Sequence, residues 1–148
     1  MSQKYNIAIL GATGLVGRQI IETLSDRKFP VDTLYLLASS RSAGEDIRFD
    51  GQDIEVQDVA NFDFSLAHIA IFSAGSEVSL QYAEKAADAG CIVIDNTSAF
   101  RNDFDIPLVV PEVNLTSLED YRNRNIIANP NCSTIQMLLA IKPLYDAY

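Results

Sequence analysis

At 148 residues, 48% hydrophobic and 21% charged, with seven glycines and five prolines, the sequence has the composition of one folded domain, which excludes a disordered or fibrous chain. Its net charge of −9 gives no general attraction for nucleic acid or anionic membrane, so any phosphate it binds must be held by local groups. No apolar stretch approaches the roughly 18 residues needed to span a bilayer, and the N-terminus carries no secretory apolar core, so a cytoplasmic location with reduced thiols is expected.

Tyr5–Leu10 is an apolar run ended by glycine, which predicts a buried parallel strand. Residues 15–25 follow at helical spacing, with Leu15, Val16, Ile20, Ile21 and Leu24 on one face. Thr33–Ala38, Ile54–Val59 and Ile69–Phe72 read as further strands. Glu77–Ala89 reads as a helix with Val78, Leu80, Ala83, Ala86 and Ala87 inward and Gly90 as its stop. Cys91–Ile94 is a strand ending at Asp95, Leu108–Val110 and Ile126–Ala128 are the last strand candidates, and a final helix is expected just past Cys132. Strands alternating with helices imply an α/β domain with a doubly wound, mostly parallel, Rossmann-like sheet, whose ligands sit beyond the C-terminal strand ends.

The chemistry-bearing residues fall at those ends. Gly11, Gly14 and Gly17 stand in G-x-x-G-x-x-G spacing between the first strand and the first helix, where backbone N–H groups can approach a pyrophosphate. The second strand runs into Ser39, Ser40, Arg41 and Ser42. A domain that binds NAD usually places an acid about 20 residues past the glycine loop for the ribose hydroxyls. Here hydroxyls and an arginine stand instead, which suits the 2′-phosphate of NADP, although the same run also fits a solvated polar turn. Ser73-Ala74-Gly75 is a small-residue turn at the same edge, and Arg101 follows the strand that ends at Asp95. Its guanidinium can fork onto a phosphate or carboxylate, or it can be a surface arginine.

Asn129-Pro130-Asn131-Cys132-Ser133-Thr134 is the most informative stretch. A cysteine between a strand end and a helix start feels the positive end of the helix dipole, which favours the thiolate, and Ser133 and Thr134 are placed to help cap that helix. Cys91, inside Cys91-Ile92-Val93-Ile94, fits a merely buried thiol. His68, the single histidine, precedes the fourth strand at the end away from the ligand edge and is expected to be structural. No general acid/base for a thioester reaction is identified. No set of metal ligands is read from the sequence.

The glycine loop Gly11–Gly17, the Ala38–Gly44 segment, Asn96-Thr97-Ser98-Ala99-Phe100-Arg101 and Asn129–Gln136 resemble, in this order, the aspartate-semialdehyde dehydrogenases. The resemblance covers essentially the whole chain, yet such enzymes are more than twice as long. Together with an end at Tyr148 that shows neither a glycine cap nor a polar tail, it leads us to expect a domain over 1–148 that binds NADP and carries the nucleophile, from which a C-terminal catalytic and dimerisation domain is absent.

The resemblance implies reversible conversion of L-aspartate 4-semialdehyde and phosphate to 4-phospho-L-aspartate with NADP, a step toward lysine, methionine and threonine. Thr13, Gly14, Leu15 and Val16 would meet the cofactor phosphates, with Gly11 at the turn, and Arg41 and Ser42 would take the 2′-phosphate. Arg101 would bind phosphate, with Asn131 beside the nucleophile Cys132. A histidine acid/base, a glutamine and a substrate-carboxylate arginine would lie beyond Tyr148, and the whole protein would be a homodimer or homotetramer. Ser73-Ala74-Gly75-Ser76-Glu77 departs from the family in lacking a second glycine.

Three alternatives remain at this stage. N-acetyl-γ-glutamyl-phosphate reductase has the same thioester logic, but its nucleophile segment usually reads glycine–cysteine–tyrosine–proline–threonine. An extended short-chain dehydrogenase needs Tyr-x-x-x-Lys, and Tyr82-Ala83-Glu84-Lys85 is one residue short. A non-catalytic NADP-binding redox sensor would have no use for a thiolate at a helix N-terminus.

Overall fold

The computed structural model describes residues 3–148. Strands β1 (Tyr5–Leu10), β2 (Val31–Ala38), β3 (Asp46–Phe49), β4 (Gln52–Asp58), β5 (Ile69–Phe72), β6 (Ile92–Asp95) and β7 (Ile126–Ala128) form one sheet in the order β3-β4-β2-β1-β5-β6-β7. Every neighbouring pair is parallel except β3 with β4. The fold expected from the alternating pattern is therefore present, with one antiparallel edge strand added.

The central strand explains why. Ile7, Ala8, Ile9 and Leu10 are each no more than 1% exposed, as a strand covered on both faces requires. Alternate side chains enter different cores. Ala8 and Leu10 pack with Ala70, Phe72, Val93 and the alanines of helix α2 (Ser76–Asp88). Ile7 and Ile9 pack with Leu34, Leu36, Val56 and Ile21 of helix α1 (Leu15–Asp26). The chain leaves β1 toward β2 and β4 on one side and returns to β5, β6 and β7 on the other. This reversal opens a crevice beyond the ends of β1 and β5, the usual ligand position in such a sheet.

Several expectations need correction. Leu80, expected inward on α2, is exposed; of the apolar face of α1, Leu15 and Val16 are exposed too, where the helix meets the glycine loop. Leu108–Val110 is not a strand: Leu108 makes a single bridge to Ala128, and Pro107 and Pro111 flank the segment without N–H groups to extend a ladder. β3 was not anticipated. It forms a hairpin with β4 around Asp50 (φ 47°) and Gly51 (φ 85°), the Asp-Gly pair favoured in tight hairpin turns.

After β6 the chain passes through a short helix α3 (Pro111–Asn114) and a 3-10 run (Leu115–Asn123) to β7, and then helix α4 (Cys132–Ala147). α4 buries none of its side chains and exposes Met137, Leu139, Ile141, Leu144 and Tyr145. Among the described residues no helix is long and apolar enough to cross a membrane.

Candidate active site

The ends of β1, β2, β4 and β5 enclose a groove of about 580 Å³ lined by Gly11, Thr13, Gly14, Ser39, Arg41, Ser42, Ser73 and Tyr82, among others. Its floor is the glycine loop. Gly11 (φ 92°) lies against the backbone of Ser73 and Ala74, where an added Cβ would come within 2.9–3.0 Å. At Gly17 the clash is harsher: a Cβ would sit 2.1 Å from the Gly11 carbonyl oxygen. These contacts press α1 onto the loop and aim its N-terminus into the groove. No side chain caps α1, so its first-turn N–H groups remain donors for an anion. Arg41 and Ser42 stand at the far wall, after β2. The cradle fits a dinucleotide: backbone donors for a pyrophosphate at one end and, at the other, the Arg41 guanidinium, which has no partner among the described residues.

Sequence reasoning missed Asp58, Val59 and Ala60 at the C-terminal end of β4, and Val78, Gln81 and Tyr82 on the first turns of α2, all of which line the same groove. The rule that ligands gather at strand ends would have found the first three, because β4 ends at Asp58 and runs directly into Val59 and Ala60.

A second cluster lies beyond the ends of β6 and β7. α4 starts at Cys132 itself, one residue earlier than expected, and its cap is Asn131, not Ser133 or Thr134: the Ser133 N–H donates to Asn131 Oδ1 at 2.9 Å. Cys132 Sγ lies 3.9 Å from the same oxygen and is exposed. Asn131 Nδ2 makes no hydrogen bond among the described residues. Arg101 reaches the same place from the β6 side. Its Nε donates to the Asn129 carbonyl at 3.0 Å and a terminal nitrogen to the Asn96 carbonyl at 3.3 Å. The structure thus brings Arg101, Asn131 and Cys132 to one edge.

His68 is elsewhere. Its Nδ1 accepts the Asn6 N–H at 2.9 Å, at the opposite, N-terminal edge of β5, in keeping with a structural role. No group of three or more acidic, histidine or cysteine side chains that could hold a metal occurs among the described residues.

The two thiols differ in kind. Cys91 is enclosed, and burial pushes its thiol up to about 12, leaving about a thousandfold less thiolate than its ordinary value of 9.0 would give. Iodoacetamide near neutral pH is therefore expected to label native protein at Cys132 more than about 100-fold faster than at Cys91. Peptide mapping checks this, with both thiols reacting after denaturation. Equal labelling of the two in the native state would contradict the assignment.

With this geometry in place, comparison with known proteins decides the family. The family profile described as semialdehyde dehydrogenase, NAD binding domain, matches residues 6–121. The chain belongs to this semialdehyde dehydrogenase family. It is 63% identical over 147 residues to aspartate-semialdehyde dehydrogenase 2 of Vibrio cholerae, covering 99% of this chain and 44% of that protein. The crystal structure of Vibrio cholerae aspartate semialdehyde dehydrogenase II complexed with ASA superposes with a TM-score of 0.96 at 62% identity, over 98% of this chain and 47% of that one. The Candida albicans aspartate semialdehyde dehydrogenase structure with NADP matches at a TM-score of 0.84 and 28% identity, over 99% and 48% of the two chains. The chain thus spans less than half the length of these relatives. The profile match ends before Cys132, so what it supports directly is the dinucleotide groove.

Proposed function

We propose that this chain is the part of an aspartate-semialdehyde dehydrogenase that binds NADP and carries the nucleophile. The enzyme converts L-aspartate 4-semialdehyde and phosphate reversibly to 4-phospho-L-aspartate in the cytoplasm. The observation that carries this reading is the exposed Cys132 at the start of a 16-residue helix, on the sheet edge where the backbone is shared with Arg101. The remaining length of the protein supplies the acid/base and the groups that grip the substrate carboxylate. It also supplies cover for α4 and the contacts of a dimer or tetramer; the exposed apolar side chains of α4 support this part of the reading.

The chemistry follows from the groups at the edge. The Cys132 thiolate attacks the aldehyde carbon, forming a C–S bond and an oxyanion, and the positive end of α4 lies where that charge develops. Asn131 Nδ2, unbonded among the described residues, is a donor for the same oxygen. NADP, when bound, supplies the acceptor for the hydride that the adduct must lose. The thioester left on Cys132 is then attacked by a phosphate oxygen, the C–S bond breaks, and the thiolate departs. Arg101 holds the phosphate dianion against the thioester, offsetting the cost of taking its charge from water, and its positive charge also favours the departing thiolate.

In the groove, Gly11, Thr13, Gly14, Leu15 and Val16 present backbone to the cofactor phosphates, and Arg41 and Ser42 take the 2′-phosphate. Arg41→Ala is expected to raise KM for NADP roughly 10- to 100-fold, the worth of lost charge-assisted hydrogen bonds, and to leave KM for NAD nearly unchanged. Equal loss toward both cofactors would place the 2′-phosphate elsewhere. The substrate is tested by following NADPH formation in the complete open reading frame with phosphate and either aspartate semialdehyde or N-acetylglutamate semialdehyde. Preference for the aspartyl substrate is the expected result. Preference for the acetylated one would assign the protein to acetylglutamyl phosphate reduction.

A further inference from the structure

Asp95 is a buried acid that the chemistry above leaves unused. It is fully enclosed at the end of β6, and no salt bridge to it occurs among the described residues. Removing a carboxylate from water is costly unless its oxygens are hydrogen-bonded. Here each oxygen receives a hydroxyl: Ser79 of α2 donates to Oδ1 at 2.6 Å, and Thr97 donates to Oδ2 at 2.8 Å. Because the Thr97 hydroxyl gives its proton to Asp95, its lone pairs remain free to accept the Ala99 N–H at 3.1 Å. That bond closes the turn that leads to Arg101. The Asp95 carbonyl also accepts the Asn129 N–H at 2.8 Å, and Asn129 Nδ2 donates to Asn96 Oδ1 at 2.6 Å. One residue thereby ties α2, the 96–99 turn and the strand end before Cys132.

Arg101 depends on all three. Its two anchors are the carbonyls of Asn96 and Asn129, and both belong to residues bonded through this lattice. A small change in the turn would swing the guanidinium, and small misplacements of a binding group cost large factors in rate.

We propose that Asp95 is a positioning residue for phosphate: through Thr97 and Ser79 it fixes the 96–99 turn so that Arg101 stays aimed at the anion beside Cys132. This rests on the reading of Arg101 as the phosphate ligand.

The test uses the complete open reading frame. Thr97→Val keeps the shape of the side chain and removes the hydroxyl; it is expected to raise KM for phosphate about tenfold. KM for NADP and for the aldehyde should stay within about twofold, and Thr97→Ser, which retains the hydroxyl, should restore the phosphate value. Asp95→Asn, which cannot accept both hydroxyl protons, should move the same constant in the same direction. Protection of Cys132 against iodoacetamide by inorganic phosphate gives a second readout independent of turnover, and it should weaken in parallel. A uniform change in all three Michaelis constants would mean a merely structural role and overturn the proposal, as would an unchanged phosphate constant in Thr97→Val. Arg101→Ala, assayed alongside, separates the two levels. If it raises KM for phosphate and Thr97→Val does not, the positioning role fails alone; if Arg101→Ala itself leaves phosphate untouched, the phosphate assignment fails and the positioning role with it.

Discussion

Replacing Cys132 by alanine is expected to lower kcat of the complete enzyme by at least about 10⁴-fold while leaving NADP affinity within about twofold. Alanine offers no atom to bond the aldehyde carbon, so neither the adduct nor the thioester can form, and what remains is binding without a route to acyl transfer. Serine should not rescue it. Its hydroxyl is a far weaker acid than a thiol, and no neighbouring base among the described residues would activate it: His68 stands at the other edge of the sheet, bonded to Asn6. Affinity for the cofactor should survive because Cys132 does not line the dinucleotide groove. Steady-state kinetics together with a fluorescence titration of NADPH would separate the two effects. Retained turnover in Cys132→Ala would move the chemistry elsewhere.

The second large effect is expected at Gly17. An alanine Cβ there would lie 2.1 Å from the Gly11 carbonyl oxygen, 2.8 Å from its carbon and 2.9 Å from the Ala12 Cα. All three are backbone atoms, so no side chain can turn aside; α1 must lift from the loop. We expect Gly17→Ala to cost about 4 kcal/mol or more and to abolish NADP binding. Gly90→Ala makes an informative contrast. Gly90, unlike the helical Gly17, has a positive φ, 91°, and nothing among the described residues lies within 4 Å of its added Cβ, so only the backbone conformation is penalised, at about 1 kcal/mol. Thermal melts should fall by roughly 10 °C or more in the first variant and by roughly 3 °C in the second. Equal shifts would mean that the close approach of α1 to the loop is not what holds the cradle.

Much of this was legible in the residues because local chemistry and global fold agree. The apolar run Ile7–Leu10, ended by glycine, suits a doubly covered strand, and Gly11 and Gly17 behind it sit where an added Cβ would meet backbone. Cys132 was visible as a strand-to-helix cysteine. What escaped depends on partners distant in sequence. Ser133 and Thr134 are placed to help cap α4, whereas Asn131, just before Cys132, takes the cap, and asparagine is among the best capping residues. β3 carries Asp46 and Arg48 on an edge and reads as polar loop, although Asp50-Gly51 announced its hairpin. Leu80 matched the apolar period of α2 but faces outward. Asp95 looked like a strand end; that it is buried and held by hydroxyls from residues 79 and 97 is a fact of three dimensions. The tether of Arg101 to Asn129, 28 residues away, is likewise invisible to any local pattern.

The most direct test of the thioester at Cys132 is a single-turnover experiment in phosphate-free buffer with the complete open reading frame, NADP and aspartate semialdehyde. The account predicts a burst of NADPH close to one equivalent per Cys132. It also predicts an aspartyl group on the peptide that contains Cys132, released when phosphate is added. No burst, or continued phosphate-independent turnover that Cys132→Ala matches, would contradict it.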